Sequence, residues 1–264
     1  MSLSIFVVDA FTSEPFGGNP AGVVLGHGDV GWMQRVAAEM RHSETAFVRA
    51  RADGGFDLRW FSPEVEVDLC GHATLASAHV LFESGRVVPG TTVRFHTRGG
   101  ELRADHAGPD GISLDFPVAE PAPAPAMPGL FDALGLAPNE LWRTDGDFFM
   151  CVADSATTVR TLNPDLAKLG ALKDVRGVYV TAAGDDGYHI VSRCFAPRIG
   201  IDEDPVTGSM HCVLVAYWSP RLGRDELRAF QASARGGELT VVKKGDRAFL
   251  TGQAATVLTG ELLA

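Results

Sequence analysis

Arg59-Trp60-Phe61-Ser62-Pro63-Glu64-Val65-Glu66-Val67-Asp68-Leu69-Cys70-Gly71-His72 decides the fold, because the chain carries this plan twice. Far downstream, Arg193-Cys194-Phe195-Ala196-Pro197 runs through Ile199-Gly200-Ile201-Asp202 into Thr207-Gly208-Ser209. Each copy is an apolar strand ending in Phe-x-Pro, a short alternating segment, an acid, a small-Gly-polar triplet and an apolar, helix-like run. The second copy is three residues longer. An ordered series of this length marks an internal duplication. Two similar halves are expected, each delivering a helix N-terminus to a shared place. This alignment sets Asp202 against Asp68 and gives both a structural role.

The repeated triplet has a chemical consequence. A helix N-terminus carries unpaired backbone N–H groups and the positive end of the macrodipole. Glycine at the turn lets a ligand approach the backbone. Helix starts at Gly71 and Gly208 would together cradle an anion, most simply a substrate carboxylate. A single Gly turn would be ordinary; its repetition in matching context is what points to a site.

Working outward, the 264 residues suit two ordinary domains, and 45% hydrophobic content is enough for a core. Net charge is −10 and the densest basic run is Lys243-Lys244, so nucleic acid is excluded as a partner. Cys70, Cys151, Cys194 and Cys212 form no Cys-x-x-Cys pair and fit no zinc spacing. They are too sparse for a disulfide scaffold. A reducing cytoplasm is the expected setting. The N-terminus enters a strand directly, without a signal-peptide pattern, and no segment is apolar enough to span a membrane.

Periodicity predicts strands at Ile5–Val8, Ala21–Leu25, Ser43–Val48, Leu58–Phe61 and Ile112–Phe116 in the first half. Helices are predicted over Gly31–Met40 and after Gly71, where Leu75, Ala78 and Phe82 share a face. Five prolines between Pro117 and Pro128 rule out regular structure there. The domains are therefore 1–117, a connector over 118–128, and 129–264. In the second half strands are predicted at Phe148–Val152, Val178–Thr181 and Tyr188–Phe195, with a helix over Pro164–Leu169 capped by Asn163. The class is α+β and rich in antiparallel hairpins, without the strand–helix alternation of a doubly wound sheet.

Glu44 sits where a helix-like segment hands over to an apolar strand. A partly buried carboxyl there can have its pKa raised and act as an acid or base; a solvated acid at a strand edge is the bland reading. His72 follows Gly71 at the helix start, where the dipole favours a neutral imidazole that donates hydrogen bonds. His42 is two residues from Glu44 and carries only a weak signal. Asp204 precedes a tight Pro/Gly turn, as turn-formers do, yet it lies beside the second cradle. No metal constellation is read.

Four motifs then resemble, in order and over nearly the whole chain, those of the PhzF family of phenazine biosynthesis-like isomerases. They are Gly17-Gly18-Asn19-Pro20-Ala21, Ser43-Glu44-Thr45-Ala46-Phe47, Asp68-Leu69-Cys70-Gly71-His72-Ala73-Thr74 and Glu203-Asp204-Pro205-Val206-Thr207-Gly208-Ser209. That family belongs to the diaminopimelate epimerase-like superfamily. The resemblance implies two pseudo-symmetric α+β domains, each a mixed, largely antiparallel sheet around a central helix, with the site in the cleft between them. It implies Glu44 as the general acid/base and His72, Asp204 and Ser209 as substrate-binding positions, to which the duplicated helix starts add Gly71 and Gly208. Asn19, Cys70 and Thr207 are further candidate positions. No cofactor or metal is implied, the substrate is a small carboxylate, and a cytoplasmic homodimer is expected.

The superfamily's two-base epimerases open a Cys-Gly turn in each half. Here Cys70 fills the first place but Thr207 the second, and a hydroxyl is far too weak an acid to replace a thiol near neutral pH. A proton-shift isomerase using one carboxyl is therefore favoured. Two alternatives stay open: an epimerase or racemase with Cys70 and Glu44 as unlike bases, and a non-catalytic carboxylate-binding protein.

Overall fold

The apolar N-terminal run folds as strand β1 (Leu3–Ala10), and its neighbours are set by pairing rather than by chain order. In the computed structural model, which describes residues 2–263, the chain forms two compact units. Residues up to Phe116 together with those from Leu250 onward make the first, and Pro117–Phe249 the second.

The first unit continues through β2 (Asn19–Leu25), α1 (Val30–Met40), β3 (Glu44–Ala50), β4 (Phe56–Phe61), β5 (Glu66–Val67), α2 (Gly71–Glu83), β6 (Val93–Thr97), β7 (Gly100–His106) and β8 (Ile112–Pro117). Strand β1 pairs antiparallel with β2, β2 parallel with β3, and β3 antiparallel with β4. Strand β4 holds β5 antiparallel and β6 parallel, and β6 continues antiparallel through β7 to β8. Helix α2 packs on β1, β2 and β3. Every residue from His72 to Ala78 is buried, so this stretch of the helix presents no solvent face. Helix α1 is amphipathic and covers the sheet through Met33, Val36 and Ala37 against Phe47 and Phe61.

The second unit is built from β9 (Ala122–Pro123), α3 (Leu130–Leu134), β10 (Leu141–Arg143), β11 (Phe148–Val152), α4 (Ala156–Thr161), α5 (Leu166–Ala171), β12 (Gly177–Ala183), β13 (Ile190–Ala196), β14 (Ile201–Asp204), α6 (Gly208–Leu222), β15 (Glu226–Gln231) and β16 (Gly237–Lys244). Its ladder repeats the first. Strands β10 and β11 are antiparallel, β11 and β12 parallel, and β12 and β13 antiparallel; β13 holds β14 antiparallel and β15 parallel, and β15 pairs antiparallel with β16. Helix α6, buried from Met210 to Ser219, takes the place of α2. The duplication read in one stretch of sequence thus extends to the pairing of seven strands.

Three boundary expectations are corrected. After β17 (Arg247–Gly252), the last strand β18 (Ala254–Leu262) pairs antiparallel with β1, so residues 250–264 belong to the first unit, not to a half ending at 264. The 118–128 connector is part of the second unit. Ala122–Pro123 pairs with Arg143 and Trp142 at a sheet edge, where a missing N–H is tolerated, and the Ala124 N–H donates to Leu141 O. Helix α5 is capped by Asp165, whose carboxylate accepts from the Lys168 N–H at 3.0 Å, rather than by Asn163. No helix among the described residues is long and apolar enough to cross a membrane.

Candidate active site

Arg59 and Glu66 face each other across the β4–β5 hairpin in a bidentate pair, with both N···O distances 2.7 Å. Arg193 and Glu203 do the same across β13 and β14, at 2.6 and 2.8 Å. Hydrogen bonding from Arg59, the largest cause, holds the Glu66 carboxyl below its ordinary range. These pairs correct the alignment of the repeat: Glu66 corresponds to Glu203, and the three extra residues fall in the turn before Glu203. Asp68 and Asp202 are therefore not equivalent, and both are exposed. From the glutamates onward the copies run in step, so Cys70 corresponds to Thr207, His72 to Ser209 and Thr74 to His211. In each unit the last of these back-bonds to the residue before the helix: Thr74 Oγ1 to Cys70 O at 2.5 Å, His211 Nδ1 to Thr207 O at 2.8 Å.

In the first unit three elements bring their starts together. Glu44 opens β3, Asn19 opens β2, and Cys70 and His72 lie at the start of α2. His72 Nε2 is 3.3 Å from Glu44 Oε2, and Asn19 Nδ2 is 3.3 Å from His72 Nδ1. The amide N–H donates to Nδ1, which leaves the ring proton on Nε2, directed at the carboxylate. Burial, the larger cause, and the nearby His42 hold the His72 pKa down at about 3. The imidazole is thus neutral, as expected, but burial rather than the helix dipole is the main reason. Cys70 Sγ lies 3.6 Å from Nδ1 and 3.9 Å from Nε2 of the same ring. One ligand atom each from Glu44, Cys70 and His72 lie within 4.8 Å of one another, a cluster that the sequence did not reveal.

The loop that delivers Asn19 has its own constraints. Gly18 has φ +56°, and a Cβ there would stand 2.1 Å from Ala10 O, so only glycine fits. Asp9, buried on β1, accepts the Phe16 N–H at 2.7 Å and ties the loop down. Asp9 was not singled out in the sequence; its signal was an acid inside an otherwise apolar strand. Neither Gly71 nor Gly208 has the left-handed backbone that requires glycine. Neither Cys70 nor Thr207 caps its helix with a side-chain bond, so the first N–H groups of α2 and α6 have no such cap.

The second unit holds a different set. Thr207 Oγ1 donates to Asp204 Oδ2 at 2.5 Å, and its N–H donates to Gln231 Oε1 at 2.7 Å. Gln231 Nε2 returns bonds to Asp204 O and Thr207 Oγ1 at 2.8 and 3.2 Å. Gln231, fully buried on β15, locks this turn and was missed because nothing local marks it. Ser209 is exposed and hydrogen-bonds Tyr179. Because Thr45 pairs with Phe61 and Val178 with Phe195, the position matching Glu44 is Gly177. The carboxylate, thiol and imidazole of the first unit thus have glycine, hydroxyl and hydroxyl as counterparts.

Comparison with known proteins gives the family and the fold. Residues 8–260 match the PhzC-PhzF family model, described as phenazine biosynthesis-like protein. An uncharacterised isomerase of Halalkalibacterium halodurans is 46% identical over 268 residues, covering 100% of this chain and 99% of that one. The crystal structure of a PhzF-family phenazine biosynthesis protein from Enterococcus faecalis superposes with a TM-score of 0.94 at 40% identity, covering all of both chains. A predicted epimerase from Pseudomonas aeruginosa superposes at 0.78 with 22% identity over 99% of both chains, a likeness of fold alone.

Proposed function

The chain belongs to the PhzC-PhzF, phenazine biosynthesis-like family, and from that premise we propose an isomerase that shifts a proton within a small carboxylate substrate, without a cofactor, using Glu44 as its acid/base. The observation that carries this reading is the one-sidedness of the chemistry. Glu44, Cys70 and His72 gather in one unit, while Gly177, Thr207 and Ser209 stand in their places in the other.

A single carboxyl can take a proton from one carbon and return it to another on the same face. His72 supports this by donating Nε2–H to the carboxylate while staying neutral, so it steadies both protonation states without fixing Glu44 as a permanent ion pair. Asn19 holds the tautomer that makes this donation possible. The N–H groups at the start of α2 suit the substrate carboxylate. In the second unit Asp204, Ser209 and Gly208 are assigned to substrate binding, with Thr207 serving to hold Asp204 in place.

Distance argues against the epimerase with unlike bases. Two bases working on opposite faces of one carbon, each about 3–3.5 Å from it, stand roughly 6–7 Å apart. Glu44 and Cys70 present their atoms within 4.8 Å, which suits action from one side. The test is solvent exchange. A panel of small carboxylates is incubated in deuterated water, and label must enter a substrate with the parent protein and not with Glu44→Gln. Exchange by the variant at the parent rate would remove the assignment. Retained ligand binding with no exchange in either protein would favour a non-catalytic binder. None of the four cysteines is in a disulfide, which suits the cytoplasm, and a homodimer is proposed, checked by light scattering.

A further inference from the structure

We propose that Gln231 is a positioning residue for substrate binding: acting through Thr207, it sets the direction in which the Asp204 carboxylate faces the substrate. This rests on the assignment of Asp204 to substrate binding. The direction of each bond in the lock is fixed by groups that have no choice. The Thr207 backbone N–H can only donate, so the Gln231 atom 2.7 Å from it is the amide oxygen. The Asp204 backbone carbonyl can only accept, so the atom 2.8 Å from it is the amide nitrogen. The other N–H of that nitrogen points to Thr207 Oγ1 at 3.2 Å. Oγ1 therefore accepts there, and its own proton goes to Asp204 Oδ2 at 2.5 Å. The result is a Thr207 hydroxyl whose proton is committed and an Asp204 carboxylate held at Oδ2.

The fold itself does not need this lock. Phe61 and Phe195 occupy equivalent places, so Asp57 on β4 matches Val191 on β13. Asp57 pairs with His96 and Val191 with Phe230, which makes Thr97 the counterpart of Gln231. Thr97 serves its own hairpin instead: its hydroxyl donates to Gly100 O at 2.8 Å and accepts the Gly99 N–H at 3.2 Å. The first unit thus builds the turn before α2 without a glutamine. In the second unit Gln231, fully buried, directs three hydrogen bonds at the one turn that carries Asp204. That turn has a second tie to the same stretch of chain, since Ser233 Oγ donates to Pro205 O at 2.9 Å. Losing the Gln231 amide therefore leaves the turn attached and frees the Thr207 hydroxyl to rotate away from Asp204.

The experiment measures KM and kcat on the carboxylate that gains deuterium, for the parent, Gln231→Met, Asp204→Asn and the double variant. The Tm of each shows that it is folded at the assay temperature. Gln231→Met should raise KM about tenfold, the scale of one hydrogen bond to a charged group, and leave kcat within about threefold. In the Asp204→Asn background it should raise KM no further, because the carboxylate it acts through is gone. A glutamine that only supported the fold would lower the folded fraction, which cuts kcat per chain and leaves KM alone. That result overturns the proposal, as does a KM effect that multiplies with that of Asp204→Asn. If Gln231→Met does not fold, Gln231→Glu keeps an acceptor for the Thr207 N–H and loses the amide donors; a parent-like KM there overturns the proposal too. An unchanged KM in Asp204→Asn itself refutes the substrate-binding role of Asp204, and the positioning role falls with it. A raised KM in Asp204→Asn beside an unchanged one in Gln231→Met overturns the positioning role alone.

Discussion

Acidification should destabilise the protein through His211, and the size of the effect follows from its surroundings. The ring lies fully buried on α6. Nδ1 donates to Thr207 O at 2.8 Å, which leaves Nε2 as the site of any second proton, and Nε2 is buried with no hydrogen-bond partner among the described residues. Burial lowers its pKa from 6.5 to about 4 despite the opposing pull of the Thr207 carbonyl. A folded-state pKa below the unfolded value means the unfolded chain binds the proton first as pH falls. The contribution is therefore fully present above pH 6.5 and lost progressively down to about pH 4. Between pH 7 and pH 5 the loss is about 1.5 units at 1.36 kcal/mol per unit, or about 2 kcal/mol. The comparison is His211→Asn, which keeps a short N–H donor near Thr207 O but does not titrate. Urea unfolding, followed by tryptophan fluorescence, is measured for both proteins at pH 7 and pH 5. The variant starts less stable because the smaller side chain leaves a void, but the gap should narrow by about 2 kcal/mol at the lower pH. His72 and the other histidines titrate in both proteins and cancel. Parallel losses in parent and variant would refute the argument, because His211 would then carry its proton equally in both states.

Glu44→Gln should lower turnover by about 10²-fold or more in steady-state assays, with KM little changed. Cys70→Ser should stay within about tenfold of the parent, since a thiol on the same side as Glu44 has no separate proton to move; a loss matching that of Glu44→Gln would restore the epimerase with unlike bases. Asp204→Asn should raise KM more than it lowers kcat, and an unchanged KM would remove Asp204 from substrate binding. Gly18→Ala should cost about 2–4 kcal/mol in urea unfolding, because a left-handed alanine must also push away the Ala10 carbonyl; a loss under about 0.5 kcal/mol would show that the loop has another conformation.

What the sequence determined by itself was what local order can encode. The duplicated Phe-x-Pro to Gly series announced two similar halves, and the periodicity of Gly31–Met40 and of the run after Gly71 located α1 and α2 within a residue or two. Motif context pointed to Glu44 and His72. The tertiary structure decided the relations that span long stretches of chain. Glu44, Asn19 and His72 meet only because β2 and β3 pair in parallel and α2 packs over them. That register is a property of strand pairing, invisible in any short window. The corrected alignment of the repeat needed the two arginine–glutamate pairs, since Glu66 and Glu203 are told from neighbouring acids only by what they bind. Strand β18 closes on β1 from more than 240 residues away, so no composition shift near residue 250 could mark the return. Burial settled the state of His72, because the cost of charging an imidazole depends on how much of the folded chain surrounds it.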